Sequence, residues 1–123
     1  MAKKATPRRL TDNEAKVFVK SIRTSHYKLE QVTDVIRGMK VNMALAQLTF
    51  MKRRVSNIVK AALESAIANA DENHGLDIDN LVVSEIWVGK AMVMKRFRAR
   101  ARGRGAQILK PFSNLTIIVK EAA

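Results

Sequence analysis

Two β-branched runs of strand length, Leu81–Val88 and Leu115–Val119, stand either side of twenty-six residues that hold no acidic side chain. A compact domain rarely carries so long a connection unless the connection has a function. The runs pair naturally as an antiparallel hairpin. If the residues between them run out and back as a ribbon, about twelve each way, the tip stands roughly 40 Å from the body. Within that stretch Arg96-Phe97-Arg98-Ala99-Arg100-Ala101-Arg102-Gly103-Arg104 places an arginine at every second position. Side chains at spacing two share a face only on an extended strand. The sequence therefore predicts a row of guanidinium groups, with Phe97, Ala99, Ala101, Gly103 and Gly105 opposite. Such a row repels itself until a polyanion neutralises it.

The charge is local. Formal net charge is +12, but residues 86–120 hold nine Lys/Arg and no Asp/Glu, so they carry +9 and the other 88 residues only +3. A charge block on one segment suits phosphate contact, through the counterion release that dominates nucleic-acid affinity. The chain of 123 residues is 47% hydrophobic, enough for one domain with a real core. It has no cysteine, which removes disulfides, thiolate metal sites and a cysteine nucleophile, and fits a reducing cytosol. No apolar run approaches the length of a membrane span, so no membrane partner is expected. Residues 1–13 lack the apolar stretch of a secretory signal and read as a basic, poorly ordered tail. A single domain is expected over 14–123, with the finger at about 89–113.

Helices fill the middle. Val55, Ile58, Val59, Ala62, Leu63, Ala66, Ile67 and Ala70 keep the spacing of one buried face, so a helix is predicted from Arg54 to Asn73, stopped by Gly75. Ser25 can cap an earlier helix burying Leu29, Val32 and Ile36 and ending at Gly38. Asn42 can cap a short one carrying Leu45, Leu48 and Met51. Val17–Ile22 reads as a third strand. The expected class is α+β: three helices, a small three-stranded antiparallel sheet and a long protruding β-hairpin.

Catalytic chemistry finds little support. His26 and His74 are the only histidines, and neither has a second ligand at helical spacing. Asp71, Glu72, Asp77 and Asp79 invite a calcium reading, but Leu76 falls where such a loop needs glycine and no glutamate closes it. Gly103-Arg104-Gly105 lacks the third glycine of a dinucleotide fingerprint, which Ile108 replaces. No cofactor and no metal are expected. Trp87 could stack on a base, but inside a strand with Ile86 and Val88 it is expected to pack on the core. Phe97 has no core to join near the tip, so it is expected either to stack on or insert into RNA or to fold against Met94.

Several blocks carry a family resemblance: Glu14-Ala15-Lys16, Val35-Ile36-Arg37-Gly38, Glu64-Ser65-Ala66-Ile67-Ala68-Asn69-Ala70, Met94-Lys95-Arg96, Arg100-Ala101-Arg102-Gly103-Arg104 and Leu115-Thr116-Ile117-Ile118-Val119. In this order, from Glu14 to Val119, they resemble the universal family of bacterial large-subunit ribosomal protein twenty-two. The resemblance implies a non-enzymatic constituent of the cytoplasmic ribosome that binds large-subunit rRNA and supports subunit assembly. It further implies a hairpin lining the nascent-peptide exit tunnel, with rRNA, neighbouring ribosomal proteins and the nascent peptide as partners. Carried over by position, Lys95, Arg96, Arg100, Arg102 and Arg104 become hairpin contacts to rRNA, and Arg23, Lys28 and Arg37 a second contact region. Lys90, Phe97, Arg98 and Lys110 complete the expected rRNA-binding set. Glu30 stands where the family usually has arginine. Ala91-Met92 replaces Gly-Pro and Ala99 replaces proline, so a different backbone path near the tip is expected.

Two other readings fit parts of the chain. A DNA-compacting architectural protein would also be small, basic and armed with a β-ribbon, but such arms usually present an apolar wedge and work in dimers. An enzyme acting on RNA would need a base or metal cluster that this sequence lacks.

Overall fold

The computed structural model describes residues 2–122. Strand β1 (Glu14–Ile22) leads into helices α1 (His26–Ile36), α2 (Val41–Phe50) and α3 (Arg54–His74), and then come the long strands β2 (Leu81–Ala99) and β3 (Gly105–Glu121). The sheet is antiparallel in the order β1-β3-β2, so the last strand lies in the middle. The expected α+β class, with three helices, three strands and a long hairpin, is what forms.

Helix α3 is the spine of the core. Val55, Val59, Ala62, Leu63, Ala66 and Ala70 are buried along it, while Ile58 and Ile67 are partly buried at the margins of that stripe. Gly75 ends the helix in the left-handed region, φ 63°, and its N–H returns to the carbonyls of Ala70 and Asp71. Only glycine adopts that cap without steric cost. Ser25 caps α1 as expected, its hydroxyl accepting from Lys28 N at 3.3 Å. The helix stops at Ile36, and Gly38 (φ 80°) turns the chain so that its N–H donates to the Val83 carbonyl at 3.0 Å. Helix α2 begins one residue before the expected Asn42 cap. Lys40 is the N-cap because it bridges to Val82 of β2, which fixes where the helix starts, and Ala44 N then donates to its carbonyl at 2.9 Å.

The helices cover one face of the sheet. On that face Ala15, Val119 and Val83 share a row, as do Val17, Ile117 and Ile86, and then Val19, Leu115 and Val88. Part of each edge of the sheet body is covered. The segment Arg37–Lys40 lies along β2, with Val83 N donating to the Met39 carbonyl at 2.9 Å. On the other edge Asn69 of α3 donates from Nδ2 to the Lys16 carbonyl at 3.0 Å, and Arg8 reaches the Glu14 carbonyl. Covered stretches of edge offer no template for pairing with another chain.

Two bulges in β2 decide what faces where. Leu81 and Val83 point to the core, and strict alternation would send Glu85 and Trp87 after them. An extra residue at Ser84 resets the parity, so Ile86 and Val88 face inward instead. Trp87 is therefore not a core residue, contrary to expectation: it is 59% exposed on the face without helices. A second bulge lies between Lys90 and Val93, where Ala91 and Met92 oppose Phe112 alone. The family departure at Ala91-Met92 thus sits at the base of the hairpin, not near its tip. In β1 a third irregularity puts Ser21 at φ 58°, with its N–H on Asn114 Oδ1 at 3.0 Å.

Candidate nucleic-acid interface

Beyond Ser113 the strand β1 has ended, and β2 and β3 continue alone as a two-stranded ribbon. Val93 pairs with Pro111, Lys95 with Leu109, Phe97 with Gln107 and Ala99 with Gly105, all continuing the helix-covered face. Met94 with Lys110, Arg96 with Ile108 and Arg98 with Ala106 continue the open face. Of the five alternating arginines, only Arg96 and Arg98 stand in a strand row. The expected single row is broken because β2 ends at Ala99 and a turn at Ala101–Gly103 reverses the chain.

The remaining arginines form the tip. Arg102 (φ 61°, ψ 38°) and Gly103 (φ 67°) are both left-handed, the requirement of the tight turns whose twist suits a hairpin. Arg100 N donates to the Arg104 carbonyl at 2.7 Å, which places these two residues across from each other below the turn. Arg96, Arg98, Arg100, Arg102 and Arg104 are all exposed. Among the described residues the one ion pair is Arg37 with Asp34, so no carboxylate neutralises the tip. Arg96 makes only a local bond, to the Lys95 carbonyl at 2.9 Å.

Phe97 is 77% exposed, yet its ring neither joins Met94, which lies on the opposite face, nor projects freely. It lies across Gly105. Lys90 is exposed beside the second bulge, paired with Ser113, and Lys110 lies where the ribbon meets the body.

A second basic surface lies there. A groove of about 620 Å³ is lined by Arg23, Lys28, Arg53, Arg54 and Lys110, with Tyr27 and no acidic residue. Internal bonds hold it open. Arg54 Nη2 donates to the Arg23 carbonyl at 2.9 Å and Arg53 Nη1 to Gln31 Oε1 at 2.6 Å. The sequence reading named Arg23, Lys28 and Lys110 but missed Arg53 and Arg54. Their signal was the run Lys52-Arg53-Arg54, which reads simply as a helix start until the fold brings it beside α1.

Arg37 stands apart from this groove. Its Nη1 is 3.1 Å from Asp34 Oδ1 and its Nη2 donates to the Ile86 carbonyl at 3.0 Å, so the guanidinium fastens α1 to the edge of β2. Glu30 does not line the groove. The acidic residues after α3 have local work: Asp77 accepts from Asp79 N at 3.1 Å and from Asn80 Nδ2 at 2.9 Å. Among the described residues no helix is long and apolar enough to cross a membrane.

Comparison with known proteins agrees with this geometry. The family model described as ribosomal protein L22p/L17e matches residues 17–120. The large ribosomal subunit protein uL22 of Maricaulis maris is 64% identical over 121 residues, covering 98% of this chain and 96% of that protein. The uL22 protein of Rhodospirillum rubrum is 63% identical with the same coverage, and that of Methylobacterium radiotolerans is 62% identical over 98% of this chain and 94% of its own length. A fold with an acid-free arginine hairpin, matched along nearly its whole length, has one reading: the chain belongs to the ribosomal protein L22p/L17e family, a family of structural proteins and not of enzymes.

Proposed function

We propose that the chain anchors itself in the large ribosomal subunit by laying its arginine tip and its basic groove on the phosphates of large-subunit rRNA. It is a structural constituent of that subunit with no catalysis of its own, and it works in the cytoplasm on the ribosome. The DNA-compacting alternative has no support from the family assignment. The observation that carries the RNA reading is the tip itself. Three exposed arginines crowd the turn and two more stand on the strand below it, none with a carboxylate partner, an arrangement that is unfavourable until phosphates arrive.

In this reading Lys90, Lys95, Arg96, Arg98, Arg100, Arg102, Arg104 and Lys110 of the finger meet rRNA, and Phe97 stiffens the ribbon beside them. Arg23 and Lys28 act with Arg53 and Arg54 in the groove. Arg37 contributes whatever contact its exposed side can make while it braces α1. The finger, about residues 89–113, helps line the nascent-peptide exit tunnel and so comes near the nascent peptide. The body, from residue 14 on, packs against rRNA and neighbouring ribosomal proteins, with residues 1–13 as a basic tail.

Titration with a large-subunit rRNA domain transcript tests the reading. If six or more of these cations meet phosphates, affinity should fall by about 10³–10⁵ between roughly 50 and 200 mM salt, and replacing Arg96, Arg98, Arg100, Arg102 and Arg104 by glutamine should flatten the slope. A slope equivalent to one or two phosphates, or equal affinity for duplex DNA at matched salt, would sink it.

A further inference from the structure

The sheet face that the helices leave open carries three aromatic residues outside the core cluster, the partly buried Phe112 and the well-exposed Phe18 and Trp87. Thr116 on the middle strand pairs with Phe18 on one side and Trp87 on the other, so Phe18, Thr116 and Trp87 form a row across all three strands. The rings stand two strand spacings apart, about 10 Å. They are 55% and 59% exposed. The bulge at Ser84 is what turns Trp87 outward, at the expense of a core position the indole would otherwise fill.

The surroundings mix cations with apolar side chains. Lys16 stands two residues before Phe18 on the same face of β1, and Lys20 follows by alternation where the register begins to shift. Along β3 and β2 the face continues through Asn114 and Phe112 to the pairs Met94–Lys110, Arg96–Ile108 and Arg98–Ala106, because the second bulge brings Arg96 and Arg98 onto it. Two acids share the face. Glu85 is opposite Ile118, and Glu14 is opposite Lys120, with its carboxylate accepting from Thr11 N at 3.4 Å.

This pattern suits unpaired nucleotides better than a protein. The core of a protein interface is contiguous, apolar and poor in lysine, whereas here Thr116 separates the two exposed rings, lysines border them, and the apolar neighbours Ile118 and Phe112 are already buried and partly buried. Aromatic faces on an open antiparallel sheet, edged by cations, offer π surfaces to bases while the cations take the phosphates. We propose that the open face is a stacking platform for unpaired RNA nucleotides, with Trp87 and Phe18 each accepting the face of a base. The proposal rests on the rRNA reading above and adds to it a second kind of contact, made by rings and not by charge.

Trp87 is the only tryptophan, so its emission reports directly on the platform. The full chain is titrated with single-stranded oligoadenylate and, separately, with a large-subunit rRNA domain transcript. Both should quench Trp87. Trp87→Ala should weaken oligoadenylate binding by about ten-fold or more, as should Trp87→Leu, while Trp87→Phe keeps a π face and most of the affinity. Phe18→Ala should act in the same direction. A circular-dichroism melt checks each variant. If Trp87→Ala does not fold, quenching of the wild-type chain and the Phe and Leu variants still decide. A wild-type chain that binds the transcript with a steep salt slope but shows no quenching, and no loss in the Ala or Leu variants, would overturn the platform while leaving the rRNA reading intact. Equal quenching by an RNA duplex would overturn the claim about unpaired nucleotides. Failure of the wild-type chain to bind the transcript at all would remove the rRNA reading, and the platform with it.

Discussion

The ring of Phe97 occupies the space that a β-carbon on Gly105 would need, since such a carbon would stand 1.9 Å from Phe97 Cζ and 2.3 Å from Cε2. The ladder explains the contact. Ala99 lies opposite Gly105 and Phe97 opposite Gln107, so Phe97 and Gly105 are diagonal neighbours on one face of the ribbon. Gly105 has no positive φ and is there for room, unlike Gly103 in the turn beside it. An aromatic ring laid over a strand glycine covers backbone that would otherwise face water, which helps a two-stranded ribbon that is marginal by itself.

Gly105→Ala should therefore push the ring away and loosen the ribbon by roughly 0.2–1 kcal/mol, with little effect on melting of the body. The NMR signature is loss of the ring-current shift at the residue 105 Hα. In a Phe97→Ala background the same substitution should cost almost nothing. Additive effects of the two changes would show that ring and glycine do not interact.

Arg102 sits at φ 61°, a conformation that costs a non-glycine residue roughly 1–2 kcal/mol. Arg102→Gly should relieve this and remove one charge from the tip, so amide exchange across Val93–Ile108 should slow in the free chain. Affinity for the rRNA transcript should nevertheless fall, with a salt slope lower by about one. Tighter RNA binding by the glycine variant would mean that the arginine is there for the turn and not for the ligand.

Replacing Met94–Lys110 by Asn-Gly joins Val93 to Pro111 through a two-residue turn of the type hairpins favour. Every fully buried residue of the core lies outside the cut. The shortened chain should melt cooperatively within a few degrees of the intact one, as is usual for small single domains whose core is untouched. Leu63→Ala in the intact chain should instead cost about 2–5 kcal/mol, because Leu63 is fully buried on α3. A shortened chain that melts without cooperativity would show the ribbon to be part of the core.

Ser113 is buried where the ribbon leaves the body, and its hydroxyl donates to the Thr24 carbonyl at 2.7 Å. Ser113→Ala strands that carbonyl without its partner, so a loss of about 1–3 kcal/mol is expected in urea unfolding. Ser113→Thr keeps the hydroxyl and tests whether the bond or the tight space matters more. An unchanged urea midpoint for the alanine variant would mean that water replaces the hydroxyl there.

Much of the architecture was legible in the chain because it rests on local regularities. The stripe from Val55 to Ala70 could bury itself only as one helix, Gly75 could only stop it, and two β-branched runs with a long acid-free connection had to pair as a ribbon. The arginine cluster was equally plain, since charge does not depend on fold. Orientation was not legible. A bulge is one unpaired residue, and nothing in the local sequence marks Ser84 or Ala91-Met92 as such, yet each reverses which side of the sheet every later side chain faces. That is why Trp87 stands in solvent and why Arg96 and Arg98 share its face; the turn at Ala101–Gly103, not a bulge, divides the row that alternation alone would keep whole. Arg53 and Arg54 joined Arg23 and Lys28 only when α3 packed beside α1. Sequence alone determined the elements, the Ser25 and Gly75 caps and the place of the charge, but not the start of α2, which the bridge from Lys40 to Val82 sets. Tertiary packing decided which faces meet, because register and burial depend on partners distant in the chain.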